Sequence, residues 1–374
     1  MKREVLWTVA MAAALFANTC IAASASNAGK KEVKTIETPA SDSRIEYTGR
    51  VLTEGNDVSY DWSGVYARIR FKGSSLAVRC SDTGNSWFNV WIDKEMDPVM
   101  DSKFMVAAKD TVIYLASGLG KGEHTVILQK RTEGEQGRIT LHSFISQDEI
   151  LQANGRKGRH IEFVGDSYTC GYGTESASKN DPFEARTENC ALTYAAITAR
   201  YFDADYNLVS HSGQGIARNY DDFRPGYNMP DRYSQTFDMD ENTVWDASKA
   251  AYRPDAVVIY LCTNDFSTGR QPHQTAFCNR YVELLNKIRN NYPEDVSYMS
   301  RNYRKMDGSS SIIESCLIRT HTLKHGFGLV TCGFMNRLVG ILCWKGQNLE
   351  SRRHLILIRM VGSGRMAFSK SVPE

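Results

Sequence analysis

The sequence predicts an α/β fold preceded by an all-β sandwich, and three observations support that prediction. The chain has 374 residues, about twice a typical domain length, so two domains are expected. Residues 40–150 read as short strands separated by turn residues, whereas residues 158–296 alternate between strand and helix patterns. The composition, 42% hydrophobic and 24% charged, is that of a globular protein with a sizeable core.

The β-rich half, residues 40–150, shows almost no helical periodicity. Turn clusters at 54–57, 82–85 and 118–122 separate its apolar runs at regular intervals, which is the pattern of a β-sandwich. The predicted strands are Ile45–Tyr47, Val65–Phe71, Leu76–Arg79, Trp87–Ile92, Thr111–Leu115 and His124–Gln129. Several aromatic residues could stack on sugar rings, although aromatics in a small sandwich more often fill its core; they are Tyr60, Trp62, Trp87 and Trp91.

After a polar linker at residues 152–159, the rhythm changes to strand and helix in alternation. Three short apolar runs suit buried parallel strands, and two stretches have apolar residues at helical spacing. The predicted strands are His160–Val164, Tyr206–Val209 and Ala256–Leu261, and the predicted helices are Leu192–Phe202 and Phe277–Asn290. This arrangement predicts a parallel sheet with helices on both faces, a three-layer α/β/α domain.

The N-terminus reads as a targeting segment. Lys2 and Arg3 precede an apolar run at residues 5–16 and a stretch of small residues, so residues 1–25 are expected to be a secretory signal peptide. The run is short for a membrane span, and we expect a secreted or periplasmic protein. Lipid attachment at Cys20 is the weaker alternative, because Ala17, Asn18 and Thr19 suit a lipidation site poorly.

The segment after Val296 differs in character. Residues 297–374 contain 12 Lys and Arg but only four Asp and Glu, and they do not continue the strand and helix alternation. Two hypotheses stay open: a basic surface helix or an added module, or a stretch out of reading frame relative to its ancestor. The segment therefore has no fold assignment from its sequence.

Charge and metal-ligand patterns exclude several function classes. The formal net charge of +2, without a basic patch interleaved with aromatics before the C-terminal segment, argues against nucleic-acid binding. His321 and His325 are four residues apart, but no third ligand accompanies them, so neither a zinc site nor any cofactor is expected. Nine cysteines without a Cys-x-x-Cys pair favour buried thiols over a redox site, and their pairing stays open.

The most informative motif places Ser167 directly after a predicted strand. Gly165, Asp166 and Ser167 form a turn that would present the Ser167 hydroxyl at the carboxyl edge of a parallel sheet, where ligands bind in such folds. The alternative is that Asp166 or Ser167 simply caps a helix, which is a common role for these residue types. The motif alone therefore does not establish a nucleophile.

Two other strand ends strengthen the interpretation. Gly213 follows the predicted strand that ends at Val209, and a glycine there lets a backbone N–H approach a ligand closely. Asn264 follows the strand that ends at Leu261 and can donate from its side-chain amide. A hydroxyl and two N–H donors at one sheet edge are what acyl transfer requires.

Together these segments resemble the serine, glycine and asparagine blocks of the SGNH hydrolases. Residues 163–173, 192–196 and 87–93 are most similar to the family two carbohydrate esterases, which include acetylxylan esterases, and the likeness covers residues 40–295. It implies a jelly-roll domain before a flavodoxin-like SGNH domain. It also implies Ser167 as nucleophile, Gly213 and Asn264 with the Ser167 N–H as oxyanion hole, and an acetylated polysaccharide as substrate.

The sequence departs from that family in two places. Cys262 stands where the family usually has glycine before Thr263-Asn264-Asp265. The family's catalytic histidine lies in an Asp-x-x-His-Pro-like motif near the C-terminus, and no His-Pro pair follows Ser167. The catalytic histidine is therefore unassigned, and none of the later histidines has a matching context: His211, His273, His321, His325 and His354.

Two alternative functions stay open. Without a working base, the same scaffold would be a non-catalytic carbohydrate-binding or surface protein. A lipase or lysophospholipase on the SGNH scaffold would prefer long acyl chains over acetate. Residues that bind the substrate cannot be chosen from the sequence.

Overall fold

The computed structural model describes residues 35–293 and the strands at 297–302, 338–343, 355–361 and 365–371. The expected signal peptide and Cys20 lie outside the described residues. The described chain from residue 35 onward packs as one compact unit, so the domain boundaries at 40–150 and 158–296 stay predictions. The order of a β-rich part followed by an α/β part is confirmed.

The β-rich part consists of short antiparallel strands. All six strands predicted from the sequence are present, with ends shifted by no more than three residues. The strands are β1 (Ile36–Pro39), β2 (Glu46–Thr48), β3 (Leu52–Glu54), β4 (Asp57–Tyr60), β5 (Tyr66–Lys72), β6 (Leu76–Asp82), β7 (Ser86–Ile92), β8 (Ser102–Val106), β9 (Thr111–Ala116), β10 (Glu123–Lys130), β11 (Ile139–Ser146) and β12 (Ile150–Leu151).

These strands form two six-stranded sheets that share one apolar core. The outer sheet has the order β3-β4-β11-β6-β9, with β1 on β11. The inner sheet has the order β12-β5-β10-β7-β8, with β2 on β5. Side chains alternate between the two faces of each strand, so Val78 and Phe144 lie in the core while Arg79 faces solvent. The arrangement is the predicted sandwich; its jelly-roll connectivity stays a prediction.

The α/β part begins with β13 (His160–Gly165) and continues with α1 (Ser167–Cys170), α2 (Tyr194–Tyr201) and β14 (Asp205–Ser210). Next come α3 (Met229–Arg232), the hairpin of β15 (Gln235–Phe237) and β16 (Asp240–Val244), then β17 (Ala256–Leu261) and α4 (Gln274–Asn291). The strands and helices predicted in this part are all present. Short 3₁₀ turns lie at Gly134–Gln136, Ala185–Thr187, Cys190–Leu192, Tyr220–Asp222, Ala247–Lys249 and Ser267–Gly269.

Beyond residue 293 the described chain is strand. β18 (Ser297–Asn302) pairs in parallel with β17 and gives the sheet a fourth strand beyond the predicted limit at Val296. Three further strands form an antiparallel sheet: β19 (Leu338–Cys343), β20 (Leu355–Val361) and β21 (Arg365–Ser371).

The parallel sheet has the strand order β14-β13-β17-β18 and is the middle one of three layers. Along β13, Ile161 and Phe163 pack with the alanine-rich face of α2, whereas Val164 belongs to the core that contains α4. The α/β/α prediction is therefore confirmed. Because the chain goes from β13 to β14 and then crosses to β17, the carboxyl ends of β13 and β17 mark the point where ligands bind in open α/β sheets.

The inner sheet of the sandwich packs against the α/β part through buried polar contacts. Tyr66 donates from its hydroxyl to Asp205 (2.6 Å), and Gln129 donates to the Tyr206 hydroxyl (2.9 Å). Since buried polar groups must be paired, these bonds contribute to holding the two parts together. The outer sheet, on the opposite side of the sandwich, therefore faces away from the α/β part.

Candidate active site

The turn after β13 positions Ser167. Asp166 is the N-cap of α1, and its carboxylate accepts a hydrogen bond from the Tyr168 N–H (3.1 Å). Gly165 is required because a Cβ at that position would collide with the Thr169 side chain. The same turn therefore caps α1 through Asp166 and presents Ser167 at the end of β13. The two interpretations of this motif, a helix cap and a presented serine, are compatible.

Ser167 is the first residue of α1 and is half-buried. Its N–H belongs to the first helical turn, where no intrahelical acceptor exists, so this donor is available to a ligand. Within the described part of the chain, its hydroxyl has no hydrogen-bond partner. Both groups are therefore free to act on a bound ester.

Gly213 lies on the loop that follows β14. Its φ of +77° is in the left-handed region, and a Cβ there would approach Phe223 Cε1 to 3.2 Å. Among the described residues its N–H donates to no acceptor, whereas its carbonyl accepts from the Tyr220 N–H (2.8 Å). This loop thus presents an unused backbone donor.

Asn264 lies on the loop after β17 and is almost fully buried. Its Nδ2 donates to the Gln214 carbonyl (2.8 Å) and, more weakly, to Asp166 Oδ2 (3.3 Å). Gln214 adjoins Gly213, and Asp166 adjoins Ser167. The Asn264 amide therefore bridges the neighbours of the other two predicted site residues, and the structure brings all three loops to one edge of the sheet.

Two family models match the chain. Residues 47–153 match the carbohydrate esterase 2 N-terminal domain, and residues 161–353 match the GDSL-like lipase/acylhydrolase family. The structure of a family two carbohydrate esterase from Clostridium thermocellum, in complex with cellohexaose, superposes with a TM-score of 0.66 at 35% identity, covering 73% of this chain and 83% of that one. The corresponding Cellvibrio japonicus structure gives 0.67 at 26% identity, covering 76% and 83%.

Curated relatives agree with the structural neighbours. An acetylxylan esterase / glucomannan deacetylase of Cellvibrio japonicus is 31% identical over 260 residues, which are 65% of this chain and 69% of that protein. The chain belongs to the family two carbohydrate esterases. The cellulase/esterase CelE of Acetivibrio thermocellus is 38% identical over 261 residues, 69% of this chain but only 31% of CelE.

In the loop after β17, Cys262 occupies a backbone conformation that favours glycine. Cys262 is fully buried with φ +85°, a backbone conformation that side chains disfavour by about 1–2 kcal/mol. Burial also raises the pKa of its thiol. The loop that carries Asn264 is therefore built on a strained residue.

His211 lies on the Gly213 loop, but the structure gives it another role than general base. Its Nδ1 lies 2.9 Å from Asp238 Oδ2 and 3.8 Å from Glu133 Oε2, and its Nε2 lies 3.4 Å from Glu135 Oε1. Burial opposes the charged ring, but Asp238 and the two glutamates raise the pKa of His211 to about 10. The ring is a buried cation at neutral pH, and a base must be able to accept a proton.

The remaining histidines after Ser167 supply no base among the described residues. His273 caps α4, where its Nδ1 accepts from the Thr275 N–H (3.3 Å). His321, His325 and His354 lie outside the described residues. The catalytic histidine stays unassigned.

Two buried carboxyl groups support the loops of the site. Burial raises the pKa of Asp166 to about 7, and burial raises that of Asp265 to about 6, even though Asp265 accepts three backbone N–H bonds. Those N–H groups belong to Ile216, Ala217 and Arg218, at 2.7–2.9 Å. Asp265 thus anchors the loop between β14 and α3, next to Gln214.

One group among the described residues has the geometry of a metal site. Glu133, Cys170 and Glu188 are all buried, and their ligand atoms lie within 4.8 Å of one another. Burial and the Glu133 charge raise the pKa of the Cys170 thiol and of the Glu188 carboxyl, so the thiol keeps its proton at neutral pH. The Cys170 Sγ lies 3.6 Å from Glu133 Oε2 as a donor, so the group is already a hydrogen-bonded cluster.

Sequence reasoning missed the exposed aromatic residues beside the site. Tyr168 follows Ser167, while Tyr220 and Phe223 lie next to Gly213, and all three are exposed. A cavity of about 210 Å³ is lined by Phe223 together with Arg218, Asn219 and Asp222, among others. By contrast, three of the four sandwich aromatics noted in the sequence are fully buried in the protein interior: Tyr60, Trp62 and Trp91.

Proposed function

We propose that the chain is a serine esterase that removes acetyl groups from a polysaccharide, with Ser167 as nucleophile and Gly213, Asn264 and the Ser167 N–H as oxyanion donors. The observation that best supports this proposal is that the Asn264 amide donates to both Asp166 and Gln214, the neighbours of Ser167 and Gly213. Relatives named acetylxylan esterase / glucomannan deacetylase support acetylated plant polysaccharide as the substrate class.

In the proposed reaction, Ser167 Oγ forms a bond to the ester carbonyl carbon while a general base takes the hydroxyl proton. The carbonyl oxygen becomes an oxyanion, which the N–H groups stabilise, and each donor typically lowers the barrier by about 3 kcal/mol. Collapse breaks the bond to the sugar oxygen, which leaves with a proton as a hydroxyl. Water then releases acetate and restores Ser167.

The Asn264 amide must change partners during this reaction. Its bond to the Gln214 carbonyl is short, whereas its bond to Asp166 is long. We infer that the oxyanion replaces Asp166 as the acceptor of the second N–H, because a charged acceptor at optimal distance forms the stronger bond. Asn264 then stays fixed by Gln214 throughout the reaction.

Exposed aromatic rings next to Gly213 support binding of a sugar chain. Tyr220 and Phe223 present apolar faces at the edge of the site, and sugar rings have apolar faces of matching size. The neighbouring cavity combines polar residues, among them Arg218, Asn219 and Asp222, with apolar ones such as Phe223. Such a mixed lining suits a sugar, which has both hydroxyl groups and apolar faces.

The test is release of nitrophenol from 4-nitrophenyl acetate and of acetate from acetylxylan, with the Ser167→Ala variant as control. We expect turnover that disappears in the variant and declines as the acyl chain lengthens from acetate. A preference for long acyl chains would instead support the lipase alternative.

A second function, non-catalytic carbohydrate binding, is favoured by one observation: among the described residues no histidine contacts the Ser167 hydroxyl, and His211 is held as a cation. Equal nitrophenol release by the unmodified chain and by Ser167→Ala, together with retention on insoluble xylan, would establish this alternative and exclude the esterase.

We also propose that the protein is exported by the predicted signal peptide. No helix among the described residues is long and apolar enough to span a membrane. N-terminal sequencing of secreted protein is expected to show cleavage near Ala25. A lipid-modified Cys20 at the mature N-terminus would instead establish membrane anchoring.

A further inference from the structure

Glu133 is a sandwich residue that reaches the proposed active site. It follows β10 and precedes the 3₁₀ turn at Gly134–Gln136, and its side chain is 1% exposed. Its backbone N–H lies 3.3 Å from Glu188 Oε1, which pairs this part of the sandwich with the segment before α2. Burying a carboxylate is unfavourable unless its oxygens accept hydrogen bonds. The groups that donate to the Glu133 carboxylate therefore indicate its role.

One oxygen of Glu133 contacts two elements of the site. Oε2 accepts a hydrogen bond from the Ser212 N–H at 2.7 Å and lies 3.6 Å from the Cys170 Sγ donor. Ser212 directly precedes Gly213. Cys170 is the last residue of α1, the helix that begins with Ser167. A single carboxylate therefore connects the proposed oxyanion loop with the nucleophile helix.

The charge of Glu133 adds to this connection. His211, the residue before Ser212, lies with its Nδ1 3.8 Å from Glu133 Oε2. Both side chains are buried, and the imidazolium and the carboxylate attract each other more strongly there than at the surface. Two successive residues of the loop, His211 and Ser212, are thus held from the sandwich side.

Several residues other than Glu133 also join the two parts. Tyr66 makes its bond to Asp205 at the beginning of β14, whereas Ser212 follows the end of that strand. Gln129 and Arg131 supply further bonds to Tyr206 and to the Glu188 carbonyl. The position of Glu133, at the loop rather than at the middle of the interface, is what distinguishes it.

We propose that Glu133 is a positioning residue of the esterase: it holds the Ser212–Gly213 loop and α1 in register, so that the sandwich completes the oxyanion hole. This inference rests on the proposed function. The sandwich is then part of the catalytic machinery rather than an appended binding module.

The substitutions Glu133→Ala and Glu133→Gln test the proposal. Alanine leaves the Ser212 N–H unpaired, and we expect kcat to fall roughly 100-fold with KM within about threefold, because oxyanion donors act on the transition state. Glutamine keeps an oxygen acceptor but loses the charge opposite His211, so its loss is expected to be about tenfold.

The matched control is Tyr66→Phe, which removes a buried bond between the same two parts at the opposite end of β14. It is expected to lower Tm and leave kcat unchanged. If Tyr66→Phe and Glu133→Ala lower kcat equally, or if Glu133→Ala retains full kcat, the positioning role is wrong.

Hydrogen exchange separates this proposal from the esterase assignment. In Glu133→Ala we expect faster amide exchange in residues 210–214 and unchanged exchange in β5 and β10. That result supports the claim that Glu133 holds the Ser212–Gly213 loop, whether or not turnover depends on Ser167. If no Ser167-dependent turnover is found, the proposed esterase function is wrong but this claim about the loop is still supported. Unchanged exchange in residues 210–214 would overturn the claim.

Discussion

At the scale of single residues, the candidate site depends on two side chains of the loop after β17. Asn264 provides a donor that the neighbouring loops already orient, and Cys262 occupies a backbone conformation that favours glycine. Each residue leads to a prediction that separates its role from general stability.

Replacing Asn264 with alanine removes the side-chain donor and its bond to the Gln214 carbonyl. We expect kcat for 4-nitrophenyl acetate to fall about 100- to 1,000-fold, the range seen when one oxyanion donor is removed. Steady-state kinetics measures the change, with Asn180→Ala in an exposed loop as control. A loss below fivefold would contradict the oxyanion role.

Substitutions at Cys262 test the backbone strain. At ordinary positions alanine is more stable than glycine by about 0.5–1 kcal/mol, but at φ +85° the order should reverse. We expect the free energy of unfolding, measured by urea denaturation, to be about 1 kcal/mol higher for the Cys262→Gly variant than for the Cys262→Ala variant. The opposite order would show that the loop adapts its backbone.

At the scale of elements, sequence patterns predict those segments whose apolar period is unbroken. α4 is predicted at 277–290 and observed at Gln274–Asn291, because Phe277, Tyr281, Leu284 and Ile288 keep one buried stripe. β11 is absent from the predicted strands although it is central in its sheet. A β-bulge between Leu141 and Ser143 shifts its register and interrupts the alternation on which strand prediction depends.

Some residues of the candidate site could be predicted from the sequence and others could not. Ser167, Gly213 and Asn264 are visible in the sequence because each directly follows a regular parallel strand. Glu133 is not visible, because its proximity to Ser212 arises only when the sandwich docks on the α/β part. No local pattern encodes such a contact between segments far apart in the chain.

The stripe of α4 allows a direct comparison of buried and exposed positions. Leu284 is fully buried and Val282 is 43% exposed on another face of the helix. Leu284→Ala is expected to lower the free energy of unfolding by about 2–5 kcal/mol, and Val282→Ala by less than about 0.5 kcal/mol. Urea denaturation of both variants provides the measurement, and similar losses would contradict the assigned face.

At the scale of the whole molecule, charged groups are concentrated where the two parts meet. Arg68 of the sandwich contacts Asp205 of the α/β part (3.3 Å), and Arg131 of the sandwich contacts Glu175 of the α/β part (2.6 Å). Separating the parts would expose or unpair these ions, so we expect unfolding as a single cooperative transition.

Stability should depend on pH through His211. Its pKa is raised to about 10 in the folded protein from an ordinary value of 6.5, so its contribution is fully present below pH 6.5 and lost as the pH rises through 10. We expect the free energy of unfolding to decrease over that interval, and less steeply in His211→Gln. Parallel curves for the two proteins would contradict a buried imidazolium.

The outer sheet of the sandwich offers a practical consequence of how the two parts are stacked. Its solvent face carries a cleft of about 680 Å³, lined by Arg79, Lys109 and Asp110 among others. A tether attached at the exposed Lys109 would leave the edge of the parallel sheet that carries Ser167 accessible to solvent. Immobilisation on beads or fusion to a scaffold through this side should therefore preserve access for bulky, insoluble fibres.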